Sequence, residues 1–332
     1  MDDVRILAIE TSCDETAAAI VRNGRDVIKS EVYSQIDIHK EYGGVVPEIA
    51  SRNHILKLPH VVGKCGFEDI DAVAVTYGPG LLGALICGVS YAKALAYSMD
   101  LPLISVHHIE GHISANFISH KDLEPPFVCL TVSGGHTMLA VVKDYGVYET
   151  LGQTRDDAAG EVIDKVSRVL GLPYPGGPNL EKLAQNGNVY AYEMPRSFKG
   201  ESHLDFSFSG PKTAVINMIH NMDQKGEEYI KEDIAASFLN SIVNVLCDNA
   251  FEALKRTGYR KLAVAGGVCA NKQLREELEK RAKKENIELY IPDLEYCTDN
   301  AAMIGSAAYY KYIRGDFADR DLNAYASIPL GN

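Results

Sequence analysis

Two stretches of the chain, ILAIETSCDETAAAIV (6–21) and VCLTVSGGHTMLAVV (128–142), share one pattern of apolar run, short polar turn and second apolar run. Each is read as strand, turn, strand, because β-branched and small apolar residues alternate with turn formers over the right length. The elements after each stretch are also alike. Behind the first come a third strand (DVIKSEVY), a helix from Pro47, a strand (DAVAVTY), a helix from Leu82, a strand (LPLISV) and the helix carrying HHIEGH. Behind the second come a short strand near Val147, helices through Ala158 to Leu170, Lys212 to Met222 and Ile230 to Lys255, then KLAVAG as strand. A helix from Asn271 to Lys284, the strand IELYIP and a helix from Ala301 to Tyr312 complete that half.

A duplicated βββαβαβα order leaves few folds open. Strands that alternate with helices need crossover connections, so each half predicts a mostly parallel sheet covered by helices on both faces. A chain of 332 residues also exceeds what one hydrophobic core usually supports, so two lobes with a cleft between them are expected. Ligands of open α/β sheets gather at the ends of strands and their loops, which puts the turns TSCDET and SGGHT on opposite walls of that cleft.

The remaining composition narrows the function. The net charge of −12 disfavours a general nucleic-acid coater, because phosphate binding sums Lys and Arg contacts. The stretch from Arg256 to Lys284 is the richest basic run, but interleaved Glu276, Glu277 and Glu279 make it read as a solvated helix. Seven cysteines with no C-x-x-C pair fit neither a disulfide framework nor a zinc ribbon. The N-terminus lacks the basic and small-residue pattern of a secretory signal, and LLGALICGVSYAKALAYSM is interrupted by Lys93, so a cytoplasmic protein with no membrane span is expected.

Glycine pairs close three segments: Ser133-Gly134-Gly135, Gly176-Gly177 and Gly266-Gly267. Successive N–H groups in such turns can cradle an anion, although each pair alone is more often a tight turn. Asn271 comes after AGGVCA and either caps the next helix or bonds a ribose or base. No G-x-x-x-x-G-K-[ST] or G-x-G-x-x-G is present, which excludes a P-loop motor and gives no support to a dinucleotide enzyme. In HHIEGH, His108 and His112 are four apart and share a helix face, so both can reach one ion or stand as satisfied surface histidines, while His107 points elsewhere. Asp299 in CTDN is the candidate third ligand. A protease of the H-E-x-x-H type needs Glu directly after the first histidine, where this chain has Ile109.

Nine motifs, IETSCDET (9–16), GGVVPEIASR (43–52), HHIEGH (107–112), VSGGHT (132–137), DDAAGEVIDK (156–165), YPGGP (174–178), FSFSG (206–210), AGGVCAN (265–271) and CTDNAAMIG (297–305), closely resemble those of the TsaD family. They span nearly the whole chain, and His136 places the resemblance with the bacterial branch. The resemblance implies the two-lobed fold of actin, sugar kinases and heat-shock ATPases (ASKHA). Its first lobe would cover residues 1–125, with the C-terminal helix (about 300–332) packing back on it, and its second lobe 126–299.

It further implies a tRNA-modifying enzyme that transfers threonylcarbamoyl from threonylcarbamoyl-AMP to N6 of the adenosine beside the anticodon, in tRNAs reading codons that begin with A. His108, His112 and Asp299 would hold one divalent metal ion, Fe(2+) or Zn(2+). Thr131, Val132, Ser133, Gly134, Gly135, Asp164, Gly177, Glu181 and Asn271 would hold the adenylate. Asp14 or Glu15 would orient the amine or take its proton. A TsaB-like paralogue, a TsaE-like ATPase and a TsaC-like synthase are the implied partners, beside tRNA. Two positions depart from the family pattern: Thr131 stands where archaeal and eukaryotic relatives place a metal-binding Tyr, and Pro211 comes after FSFSG in place of Leu. A small-molecule kinase of the same fold, a metal-dependent protease and a non-catalytic nucleotide sensor are the competing readings.

Overall fold

The computed structural model describes residues 3–198 and 202–331. The chain opens with β1 (Arg5–Glu10), β2 (Glu15–Arg22) and β3 (Asp26–Ser34), then α1 (Ile36–Lys40) and α2 (Pro47–Cys65). Next come β4 (Ala72–Gly78), α3 (Leu82–Met99), β5 (Leu103–His107) and α4 (His108–Ser119). The order restarts with β6 (Phe127–Val132), β7 (Thr137–Asp144) and β8 (Val147–Gln153), then α5 (Ala159–Val169), α6 (Gly176–Ala184), α7 (Ser209–Lys225) and α8 (Lys231–Thr257). It closes with β9 (Lys261–Ala265), α9 (Lys272–Glu285), β10 (Glu288–Tyr290), α10 (Leu294–Cys297) and α11 (Ala301–Tyr312).

The strands form two five-stranded sheets with the same order, β3-β2-β1-β4-β5 and β8-β7-β6-β9-β10. In the first, β2 is antiparallel to β1 and β3, whereas β4 and β5 run parallel to β1. In the second, β6, β9 and β10 are parallel, as crossover helices require. Contacts divide the chain into two units. One runs up to Pro125 and includes Val142–Tyr148 and the chain from Pro292 onward; the other holds Pro126–Val141 and Glu149–Ile291.

Alternation along β1 and β2 decides the layers of the first unit. Leu7, Ile9, Ala18 and Ile20 point to α2 and α3, packing on Leu58, Val62, Leu85 and Val89. Ile6, Ala8, Ala17, Ala19 and Val21 point the other way, onto Ala115 and Ile118 of α4 and Met303, Ile304 and Ala307 of α11. Burying each large side chain contributes about 1.5–3 kcal/mol before entropy is counted. The small residues on this second face let α11 lie close. α3 and α8 are both long and apolar enough to cross a membrane by composition, but 72% of the α8 window is buried, and α3 buries Leu85, Val89 and Ala92 on the sheet.

Local expectation and structure differ at two of the motifs. YPGGP, read as a glycine turn, opens α6: Pro175 precedes the helix with an extended backbone and Pro178 falls in its first turn, where no N–H is missed. His107 is not part of the HHIEGH helix. It ends β5 and caps α4, its Nδ1 accepting from Ile109 N at 3.1 Å. Pro211 lies in the first turn of α7, which accommodates it for the same reason as Pro178.

Candidate metal centre and nucleotide loops

In the first unit, the polar turn after β1 and the start of α4 meet. Glu10, the last residue of β1, is fully buried, and both of its oxygens are engaged. Oε1 accepts from Ser12 N at 2.5 Å; Oε2 accepts from Thr76 Oγ1 at 2.5 Å and from His108 Nδ1 at 3.2 Å. A carboxylate only accepts, so Nδ1 of His108 donates to it, which makes Nε2 the nitrogen that would turn to a cation once it has given up its own proton. Sequence reasoning missed Glu10; its one signal is a charge closing an otherwise apolar strand.

His108 Nε2 faces Asp299 Oδ1 at 3.6 Å, and His112 Nε2 faces the same oxygen at 3.1 Å. The two imidazoles meet edge-on, with centroids 4.6 Å apart. One donor atom from each of the three residues lies within 4.8 Å of the others. Burial opposes charge on His108, but Asp299 and Glu10 outweigh it and lift its pKa to about 9. His112 is fully buried; its Nε2 approaches Asp299 without hydrogen-bond geometry, and its Nδ1 has no partner among the described residues. An orphaned buried imidazole beside a second imidazole and a carboxylate fits a divalent transition metal, since two His and one carboxylate leave coordination positions open. Asp299 is delivered by the link between α10 and α11, where Asn300 caps α11 through Met303 N at 2.9 Å.

The other residues of HHIEGH face elsewhere. His107 Nε2 reaches Ile328 O at 3.2 Å. Glu110 is buried with Lys311 of α11 3.9 Å away, and its carboxyl is pushed up by burial. Asp14 is buried, with Oδ2 lacking a partner among the described residues. Glu15 opens β2 and accepts from Ser34 Oγ at 3.2 Å. Burial first, then the Asp14 and Asp299 carboxylates, raise its pKa to about 10.

In the second unit, the turn Ser133–His136 closes between β6 and β7: Ser133 N donates to His136 O at 2.7 Å and His136 N to Ser133 Oγ at 3.1 Å. Gly134 and Gly135 are exposed. The N-terminus of α5 sits directly beneath, with Gly160 N donating to Ser133 O at 3.2 Å and Ala159 N to Thr137 Oγ1 at 2.9 Å. A Cβ on Gly160 would come 2.6 Å from Ser133 O, so only glycine permits this approach. Gly266, at φ +89°, lies equally close to the Val132 carbonyl. Thr131 is buried at the end of β6 beside Cys129.

Asp164 on α5 accepts from Gly176 N at 2.9 Å, which places it at the start of α6 beside Gly177. Asn271 takes the capping role, accepting from Leu274 N at 2.9 Å, and Glu181 accepts from Lys272 N at 2.7 Å. Asp164, Glu181 and Asn271 thus each bind the backbone at a helix start, and Gly177 has open space where a side chain would be.

A family model described as TsaD, tRNA N6-adenosine threonylcarbamoyltransferase, matches residues 26–306. Proteins named tRNA N6-adenosine threonylcarbamoyltransferase from Clostridium perfringens and Clostridium novyi are each 56% identical, the first over 100% of this chain and 99% of its own length, the second over 99% and 98%. Among solved structures, full-length HypF in its phosphate- and nucleotide-bound form superposes with a TM-score of 0.63 at 18% identity, covering 93% of this chain but 46% of HypF. The activator of the 2-hydroxyisocaproyl-CoA dehydratase from Clostridium difficile with bound ADPNP gives 0.52 at 15% identity, covering 94% and 97%. At such identity the two structures speak for the fold alone.

Proposed function

The chain belongs to the TsaD family of tRNA N6-adenosine threonylcarbamoyltransferases, with an ASKHA-like fold, and from that premise we propose how its own residues carry the transfer. The reaction moves threonylcarbamoyl from threonylcarbamoyl-AMP to N6 of the adenosine next to the anticodon, in tRNAs that read codons beginning with A. A C–N bond forms to N6, the C–O bond to the AMP phosphate breaks, and N6 loses one proton. An arylamine is a weak nucleophile, so placement and charge stabilisation must supply most of the acceleration.

His108, His112 and Asp299 hold one divalent metal ion, Fe(2+) or Zn(2+), in this reading; the observation that carries it is the buried His112 ring with no hydrogen-bonding partner among the described residues. Such an ion supplies Lewis-acid polarisation of the substrate carbonyl. Glu10 holds His108 in the tautomer that presents Nε2. The exposed Gly134 and Gly135 N–H groups receive the adenylate phosphate, with Asp164, Gly177, Glu181 and Asn271 framing the nucleoside and Thr131 and Val132 forming the floor. Asp14 Oδ2, buried and without a partner among the described residues, takes the proton released by N6, while Glu15 beside it accepts a hydrogen bond from the amine and orients it.

An acidic chain binds tRNA poorly alone, which supports a reading with helpers. A TsaB-like paralogue docks on the first unit, where α2 and α3 expose Ile55 (64%), Leu56 (71%) and Tyr97 (73%). A TsaE-like ATPase and a TsaC-like synthase, which makes the adenylate, complete a cytoplasmic system. The kinase, protease and nucleotide-sensor readings find no support among the close relatives, which are named as transferases.

The test is reconstitution with unmodified tRNA, threonine, bicarbonate, ATP and the partner proteins, with nucleoside analysis of the product. Threonylcarbamoyladenosine is expected with the native chain and lost with His112→Ala or Asp299→Ala. Its absence from a mixture that makes the adenylate would sink the assignment.

A further inference from the structure

We infer that His54 is a positioning residue for the transfer, clamping the Cys13–Thr16 turn from both sides and so fixing where Asp14 and Glu15 stand. His54 projects inward from α2 and is fully buried. Its Nε2 lies 2.8 Å from Cys13 O and its Nδ1 2.8 Å from Thr16 Oγ1. The carbonyl can only accept, so Nε2 carries the hydrogen. Burial holds the ring below its ordinary pKa and hence neutral, which leaves Nδ1 to accept from the Thr16 hydroxyl.

The two anchor points flank the two carboxylates in sequence, one immediately before Asp14 and one immediately after Glu15. A single rigid ring therefore spans the turn that bears them. The surrounding bonds work in the same direction: Gln35 N donates to Asp14 O at 3.2 Å, and Gln35 Nε2 donates to Ala50 O, one turn before His54 on α2, at 3.3 Å. Glu15 and Thr16 pair in register with Ser34 and Tyr33 of β3. The turn is held by α2 on one side and β3 on the other, and His54 is the only histidine that bonds both of its ends among the described residues. No tRNA or nucleotide contact is asked of it; it acts through Asp14 and Glu15.

This inference rests on the role given above to those carboxylates, and the experiment separates the two. The reconstituted enzyme is assayed with His54→Phe, which keeps a ring but deletes both bonds, His54→Gln, which keeps a donor, and Thr16→Val, which removes one bond without touching α2. Displacing reacting groups by about an ångström costs on the order of 100-fold, so His54→Phe is expected to lower kcat by about 10- to 100-fold. KM for tRNA and bound metal should stay at the native level, with a smaller fall for Thr16→Val and partial recovery for His54→Gln. Native kcat in His54→Phe and Thr16→Val, or a fall that tracks metal loss, overturns the inference; if His54→Phe does not fold, Thr16→Val alone decides. Asp14→Asn and Glu15→Gln are run beside them. If these two retain native rates, the carboxylate reading fails and the clamp with it; if they are slow while the clamp variants are fast, only the clamp fails.

Discussion

Glu10→Gln isolates the buried carboxylate beneath the candidate metal centre without changing its size. In the native chain that group faces three donors: Ser12 N, the Thr76 hydroxyl and His108 Nδ1–H. Glutamine offers one acceptor oxygen and one NH2. If the oxygen stays on Ser12 N, the NH2 confronts Thr76, which can rotate to accept, and His108, which cannot do so while Nδ1 is protonated. The ring then either turns its Nδ1–H to Ser12 Oγ, 3.1 Å away, or gives that proton up and carries its hydrogen on Nε2, the nitrogen that faces Asp299. Loss of such an outer partner weakens metal binding by about 10- to 100-fold, or about 1.4–2.7 kcal/mol at 1.36 kcal/mol per decade. Competition of the purified protein against a chelator of known affinity measures this, with melting curves recorded on the metal-free forms. A native dissociation constant in a variant that melts normally would refute the argument that Glu10 sets the His108 tautomer.

Gly160→Ala is expected to push the Ser133–Gly135 turn away from α5, since its Cβ would lie 2.6 Å from Ser133 O; AMP binding by calorimetry should weaken, and unchanged affinity would mean the turn does not hold the nucleotide. Gly305→Ala should cost about 1–3 kcal/mol in denaturant melts, because its Cβ would meet Val21 Cγ2 at 2.6 Å in the packed face under α11; a cost near zero would show that this face yields easily. Hydrogen bonds from Lys212 and Lys165 hold the Asp157 carboxyl below its ordinary value of 3.8. A lowered folded-state pKa stabilises above the unfolded value and is lost as pH falls. The gap in Tm between the native chain and Asp157→Asn should therefore be open at pH 6 to 7 and close as pH drops through about 4 and below; a gap that persists at pH 3 would contradict the assignment.

Repetition of the strand order was legible because it rests on period and punctuation, which local residues set. α11 appears at Ala301–Tyr312 as its apolar period predicts, and Asn271 caps α9, the simpler of its two readings. α6 was not legible, since two glycines between prolines carry the signature of a turn; only tertiary packing of Leu180 makes the helix worthwhile. In the site, spacing brought out His108 and His112 because helical geometry is local. Glu10, Thr76 and His54 escaped notice: each matters through a partner 38 to 98 residues away, and nothing in the neighbouring sequence records such a distance.

Asp299 and α11 have a consequence for how the molecule is made. A chain leaving the ribosome presents β1, β2, β4, β5 and α4 long before residue 299, and units fold as they emerge. Until residues 299–312 are translated, the sheet face bearing Ile6, Ala8, Ala17, Ala19 and Val21 lacks the α11 side chains that pack on it, and the histidine pair lacks its carboxylate. Nascent or C-terminally truncated chains therefore display an apolar face and an incomplete donor set. Completion of that core and completion of the three-residue donor set arrive together, because Asp299 directly precedes α11.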